Sequence, residues 1–239
     1  MGSKARIAKQ ILPIILKNRQ PGQWYVEPFA GGMNSICHVK GNRLANDNHY
    51  YLIQMWIRLL ENWRPPAQVS REEYEKIKAT PVLYAPELVG WAGFNCSYSG
   101  KWFGGYAGKT QTKIGTIRDY QTEAIRNVLK QADLLRGCRM ENLTFYRLSI
   151  PPESIIYCDP PYAGTTGYKS TIDHEHFWQW AANLAGLGHT VFVSEYDVPS
   201  FNAVHWECVW EQTVKSSLSA NGRYGGSKQS IERLFAFKS

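Results

Sequence analysis

The chain has no apolar run near the ~18 residues of a membrane-spanning helix. It has no CxxC pair either. Cys37, Cys96, Cys138, Cys158 and Cys208 are odd in number and widely scattered, which argues against a disulfide framework or a cysteine zinc site. They read as reduced thiols of a cytoplasmic protein. Internal repeats and low-complexity tracts are also missing. The opening MGSKARIAKQILPIILKNRQ is basic and then apolar, but Lys9 and Pro13 interrupt it and no small-residue cleavage site follows, so no signal peptide is expected. The Ser/Thr spacing of a myristoylation signal is lacking as well. Acids are absent from Leu88 to Arg118 and again from Gln212 to Ser230.

What is present is a basic excess, 27 Lys and Arg against 20 Asp and Glu, unevenly placed. Residues 1–64 carry 9 bases and 3 acids, residues 65–150 carry 12 and 8, and residues 151–239 carry 6 and 9. A one-sided basic surface suits a polyanion, nucleic acid first and an anionic membrane second.

Hydrophobic periodicity predicts a helix over 4–17 bent at Pro13, a strand from Trp24 into a glycine turn at Gly31–Gly32, and a helix through about Val39. A second strand over Arg43–Asp47 and a buried helix over 49–62 complete the opening of a doubly wound α/β sheet. Pro65–Pro66 ends that unit. A short helix (70–79), a stretch rich in Gly and aromatics, and a helix over 117–135 follow. Strands are expected at Leu143–Tyr146, Ser154–Cys158, His189–Ser194 and Val204–Trp210, with a helix at Asp173–Ala185. Ile231–Phe237 is expected to return as a hairpin partner of 204–214. The domain reading is a core of 1–64 and 141–239 interrupted by a lobe over 65–140.

Two segments carry chemistry. Asp159-Pro160-Pro161-Tyr162 comes directly after the apolar strand ending at Cys158, and open α/β sheets bind ligands at the carboxyl ends of strands. Glu27-Pro28-Phe29-Ala30-Gly31-Gly32-Met33-Asn34-Ser35 lies between the first strand and the helix expected through Val39. Its glycines permit a tight turn and close backbone approach to a ligand. This segment is neither GxGxxG nor a phosphate loop with Gly-Lys-Ser/Thr, so NAD and ATP find little support. Asp47, 16 residues beyond Gly31, is placed to bond both hydroxyls of an adenosyl ribose. Asp173-His174-Glu175-His176 looks metal-like, but its histidines are two apart with no third partner, and no metal is expected.

Phe29-Ala30-Gly31-Gly32, then Asn46-Asp47-Asn48, then Asp159-Pro160-Pro161-Tyr162, in this order and spacing, resemble the DNA adenine-N6 methyltransferases related to the Dam methylase. The adenine methylases of phages and prophages look nearest. The resemblance implies a Rossmann-like α/β methyltransferase sheet with an inserted target-recognition lobe. It also implies S-adenosyl-L-methionine as cofactor and double-stranded DNA as substrate. Lys4, Phe29, Ala30, Gly31, Gly32, Asn34, Ser35, Asp47 and Asp159 would hold the cofactor. The family commonly has an aromatic four residues before the lysine that Lys4 matches; in this chain that position would precede Met1. Asp159, Pro160, Pro161 and Tyr162 would be catalytic. In the lobe, Asn95, Lys101, Trp102, Tyr106, Lys109 and Lys113 combine bases, aromatics and glycines suited to nucleic acid, and Arg223 would contact DNA from the second acid-free stretch. Two other readings stay open. One is the same chemistry on RNA adenine or a protein glutamine, against which Asp rather than Asn at position 159 leans. The other is a DNA-binding protein with a degenerate cofactor site. A monomer or weak dimer is expected, in a phage-protection or restriction–modification setting.

Overall fold

The computed structural model describes residues 4–112, 115–162, 172–215 and 229–238. Helix α1 (Lys4–Ile15) contains Pro13 in its last turn, where the missing N–H and the ring hasten the helix end. Strand β1 (Tyr25–Glu27) and strand β2 (Arg43–Asn46) are buried throughout. Helices α2 (Tyr50–Leu60), α3 (Arg71–Ala79) and α4 (Pro86–Gly90) come next. A two-stranded ribbon of β3 (Lys109–Gln111) and β4 (Ile117–Asp119) leads into α5 (Tyr120–Leu134) and strand β5 (Arg139–Glu141). Strand β6 (Ile155–Cys158), helix α6 (His174–Gly186) and strands β7 (Thr190–Glu195), β8 (Trp206–Lys215) and β9 (Gln229–Phe237) complete the chain.

The strands form a seven-stranded sheet in the order β5-β2-β1-β6-β7-β9-β8. The pairings β2–β5, β1–β6 and β6–β7 are parallel, and β7–β9 and β8–β9 are antiparallel. A mostly parallel sheet with a reversed hairpin at one edge is the expected Rossmann-like arrangement, in which the carboxyl ends of the parallel strands carry ligands.

The chain divides into two compact units, one of Met1–Ala8 and Ala30–Leu148, the other of Lys9–Phe29 and Ser149–Ser239. In the first, α2 turns Leu52, Ile53, Met55, Trp56 and Leu59 inward. Gly90 at the end of α4 lets the helices α4 and α2 meet closely: a Cβ there would sit inside the contact radius of the Tyr51 carbonyl oxygen and 2.9 Å from Met55 Cβ. The Arg43 guanidinium donates to the carbonyls of Leu134 and Arg136 at 2.8 and 2.7 Å, fastening β2 to the end of α5. In the second unit, α6 buries Phe177, Trp178, Ala181 and Leu184, and the hairpin β8/β9 supplies Trp206, Leu234 and Phe235 to the core.

Three expected elements are corrected. No helix runs to Val39; only a 3-10 turn forms at Ile36–His38, because Gly31 (φ +48°) and Met33 (φ +59°) take left-handed backbone and Val39 is already extended. The strand expected at Leu143–Tyr146 is instead β5, three residues of which two are charged, paired with β2 through backbone bonds. Residues 145–147 form a 3-10 turn, and the Asn46 side chain occupies both backbone groups of Leu143, accepting from its N–H and donating to its carbonyl at 2.9 Å. Ile117, counted into a helix by its period, lies exposed on β4; α5 starts only after Asp119, whose carboxylate accepts from the amides of Gln121 and Thr122.

Candidate active site

Asp47 lies just past β2, and four hydrogen bonds fix it, one of them from its own amide to the Glu141 carbonyl at 3.3 Å. Its Oδ2 accepts from the Gly31 amide at 3.0 Å and its Oδ1 from the His49 amide at 2.9 Å. Its own carbonyl accepts from the Asn142 side chain at 2.8 Å. The Ala30 amide bonds the Asn46 carbonyl at 2.8 Å, so the glycine turn is laced to the strand end that bears the acid. Burial raises the Asp47 carboxyl above its usual range, and the two amide bonds oppose that rise. Gly31 adopts positive φ, and a Cβ built on it meets nothing within 4 Å, so the turn presents bare backbone on that side. Gly32 is tied from behind, its carbonyl accepting from Gln131 at 2.7 Å. Asn34 lines a concavity of about 340 Å³ that also includes Asn95, Tyr98, Asn127 and Gln131. Ser35 is buried beside the 3-10 turn. Lys4 opens α1, but its side chain lies outside the described residues.

Within the second unit, β6 delivers the other segment. Ile155–Cys158 is fully buried, Asp159 is half-buried at its carboxyl end, and Pro160 is buried. The negative charge of Asp159 acts on its surroundings. Burial first and that charge second push up the Tyr157 phenol, the Cys158 thiol and the Tyr162 phenol. The Tyr162 hydroxyl donates to Glu232 Oε2 on β9 at 2.8 Å, and its ring stands edge-on to Tyr196 at 4.6 Å. The ring is therefore held from two sides. Phe29, at the end of the β1 segment, packs edge-on against Phe177 of α6 at 5.6 Å.

Sequence reasoning passed over two contributors. Glu27, 4% exposed, accepts from the equally buried Tyr25 hydroxyl at 2.7 Å. Burial raises its carboxyl to about 8, with the Asp159 charge adding to the rise and the Tyr25 bond opposing it. The signal was present: an acid at the end of an otherwise apolar strand. The second is Asn142, which braces the Asp47 carbonyl and carries no signal in sequence.

The lobe residues divide by exposure. Lys101 and Lys109 are exposed, Lys109 only loosely paired with Asp119 at 3.9 Å. Asn95 donates to Met55 Sδ at 3.3 Å. The aromatics are largely packed together. Trp102 stacks on Tyr51 at 5.8 Å and meets His49 at 4.3 Å, while Trp91 and Phe94 are buried. The Tyr106 hydroxyl donates to the Val69 carbonyl at 2.8 Å and accepts from Gln121. Trp102 and Tyr106 are thus packing residues of the first unit. Lys113 and Arg223 lie outside the described residues.

The fold defines the class, a Rossmann-like α/β protein; in its first unit a fixed Asp47 and a bare glycine turn stand just past β2, and in its second Asp159 stands just past β6. Residues 1–87 match the family model of the D12 class N6 adenine-specific DNA methyltransferase. The matched span includes the glycine turn and Asp47; Asp159 lies beyond it. Among solved structures, the chain is similar to SMU.472, a candidate methyltransferase complexed with SAH. TM-score is 0.41 at 14% identity, over 98% of this chain and 52% of that one, so this chain spans about half its length. No curated protein matches the chain in sequence.

Proposed function

We propose that the chain is an S-adenosylmethionine-dependent methyltransferase acting on the N6 amino group of adenine in double-stranded DNA. The observation that carries this reading is Asp159-Pro160-Pro161-Tyr162 at the carboxyl end of β6, in a chain whose first 87 residues match the adenine-N6 model. The finer reading is of the Dam-like type found in phages and prophages. It adds a cytoplasmic setting, a monomer or weak dimer, and a role in phage protection or beside a restriction endonuclease. Residues 65–140 are the target-recognition lobe in this proposal.

The cofactor fits the residues present. Each Asp47 oxygen already accepts one amide and keeps a lone pair for a ribose hydroxyl. The open α-carbon of Gly31 allows close approach, and Phe29, Ala30, Gly32, Asn34 and Ser35 surround that turn, with Lys4 and Asp159 completing the proposed set. When bound, S-adenosylmethionine supplies an electrophilic methyl group on sulfonium.

The chain's own residues address a weak nucleophile, since the adenine N6 lone pair is delocalised into the ring. The Asp159 carboxylate and the Pro160 carbonyl accept one hydrogen bond each from the amino group. That favours a pyramidal nitrogen and stabilises the positive charge developing on it. Pro160 and Pro161 stiffen the segment that carries the carbonyl. Tyr162, with its hydroxyl on Glu232, presents a held ring on which an extruded adenine can stack. The remaining contribution is alignment of two substrates. Lys101 and Lys109 meet backbone phosphates, as do Lys113 and Arg223, and Asn95 is the proposed base reader, while Trp102 and Tyr106 hold the lobe in shape.

Incubation with unmethylated DNA and methyl-labelled S-adenosylmethionine tests the reading. Label in adenine N6 of DNA is expected, lost in Asp159→Ala. Label only in RNA or protein, or none in any of them while DNA is still bound, refutes it.

A further inference from the structure

The β1–β6 register sets Tyr25 opposite Ile155 and Val26 opposite Ile156, so Glu27 falls level with Tyr157. Pleat alternation then turns Tyr25, Glu27, Ile155 and Tyr157 to one face of the sheet, the face toward which the chain proceeds at Asp159. On the next strand, Ser194 shares that face and meets the Tyr157 hydroxyl at 2.8 Å. Asp159 sits at the strand end, half-buried; Glu27 sits one step deeper and accepts from the Tyr25 hydroxyl. Two carboxyls in one low-dielectric neighbourhood do not both ionise readily, and the less solvated one keeps the proton. The groups acting on Glu27 are Tyr25 of its own strand and Asp159 beyond β6; Tyr157 and Cys158 of β6 feel its charge in turn.

We propose that Glu27 is a positioning residue, kept as a neutral carboxylic acid so that no buried charge stands directly behind Asp159; Glu232 of β9, on the same face, is engaged by the Tyr162 hydroxyl. This rests on the reading of Asp159 as acceptor for the target amino group. Ionised Glu27 would repel the Asp159 carboxylate from its acceptor position where water screens little. It would also leave a buried anion on one hydroxyl donor. The methylation rate therefore falls as Glu27 ionises in the alkaline range, and glutamine, neutral and similar in shape, substitutes for the acid.

The test compares the wild type with Glu27→Gln and Tyr25→Phe. In the wild type, single-turnover methylation is expected to fall about tenfold between pH 7 and pH 9, tracking the neutral fraction of an acid that titrates near 8. Glu27→Gln is expected within about threefold of wild type at pH 7 and nearly flat to pH 9. Tyr25→Phe, which loses a donor that favours the anion more than the neutral acid, is expected to move the alkaline fall to higher pH. An infrared band of a protonated carboxylic acid, present at pH 6.5 and absent in Glu27→Gln, reports the proton without any turnover. The proposal is overturned if that band is missing from the wild type, or if Glu27→Gln keeps the alkaline fall. It is equally overturned if Glu27→Gln loses activity at pH 7 while binding cofactor and DNA normally. A wild type that shows the band but methylates no DNA overturns the proposed function instead, and with it the positioning role of Glu27.

Discussion

The buried carboxyl of Glu27 makes the stability of this protein depend on pH in a direction opposite to that of a salt-bridged acid. The group is 4% exposed and its carboxyl is raised from 4.5 to about 8. A folded-state value above the unfolded one means that the folded chain holds a proton that the unfolded chain releases. The stability linked to it is fully present below about pH 4.5, declines as pH rises, and levels off above about 8. At about 1.4 kcal/mol per pH unit, the whole decline amounts to roughly 5 kcal/mol as an upper value, of which about 3 kcal/mol falls between pH 6 and pH 9. Relaxation around the ionised acid and entry of water would reduce both figures. Glu27→Gln removes the titration while keeping shape and hydrogen bonding. Urea unfolding of both proteins at pH 6 and pH 9 measures the effect. The variant is expected to gain on the wild type by about 2–3 kcal/mol across that interval. Asp47, also raised by burial, is common to both proteins and cancels in the difference. Parallel pH curves, or a wild type that gains on the variant as pH rises, would refute the assignment of a buried neutral acid.

Asp159→Ala is expected to lower methyl transfer by about 10²–10³-fold and to leave DNA binding in place, with labelled-methyl incorporation and gel shift as the paired measurements. Lys101→Ala and Lys109→Ala should each weaken DNA binding and reduce the slope of log affinity against log salt by about one, read from titrations at several ionic strengths. A slope unchanged in both variants would remove these lysines from the phosphate contacts. Gly90→Ala forces a Cβ onto the Tyr51 carbonyl and Met55, and should cost about 2–3 kcal/mol of stability in thermal or urea unfolding. Wild-type stability in that variant would mean that α4 and α2 can part without loss.

Legibility in the sequence tracked the strength of local rules. Strands β6 and β7 were readable because buried parallel strands carry short apolar runs bounded by turn residues, and β1 and β2 because their few apolar residues lead directly into turns. The carboxylates Asp47 and Asp159 were readable because both stand just past such runs. What escaped was set by partners distant in sequence. Nothing local distinguishes Arg139–Glu141 as a strand; its pairing with β2 does, and Asn46 then claims the backbone of Leu143, where the better apolar pattern lay. The aromatics of the lobe carried two meanings in sequence, stacking surface or internal prop. The contacts of Trp102 with His49 and Tyr51 and of Tyr106 with Val69 and Gln121 make them props. Glu27 is the sharpest case. In sequence it is an acid that ends an apolar strand before a proline, with nothing local to set its proton affinity. Its depth and the neighbouring Asp159 raise its carboxyl to about 8, against the opposing bond from Tyr25. In the proposed mechanism the same difference in depth divides the work: half-buried Asp159 accepts from the target amino group while buried Glu27 holds its proton.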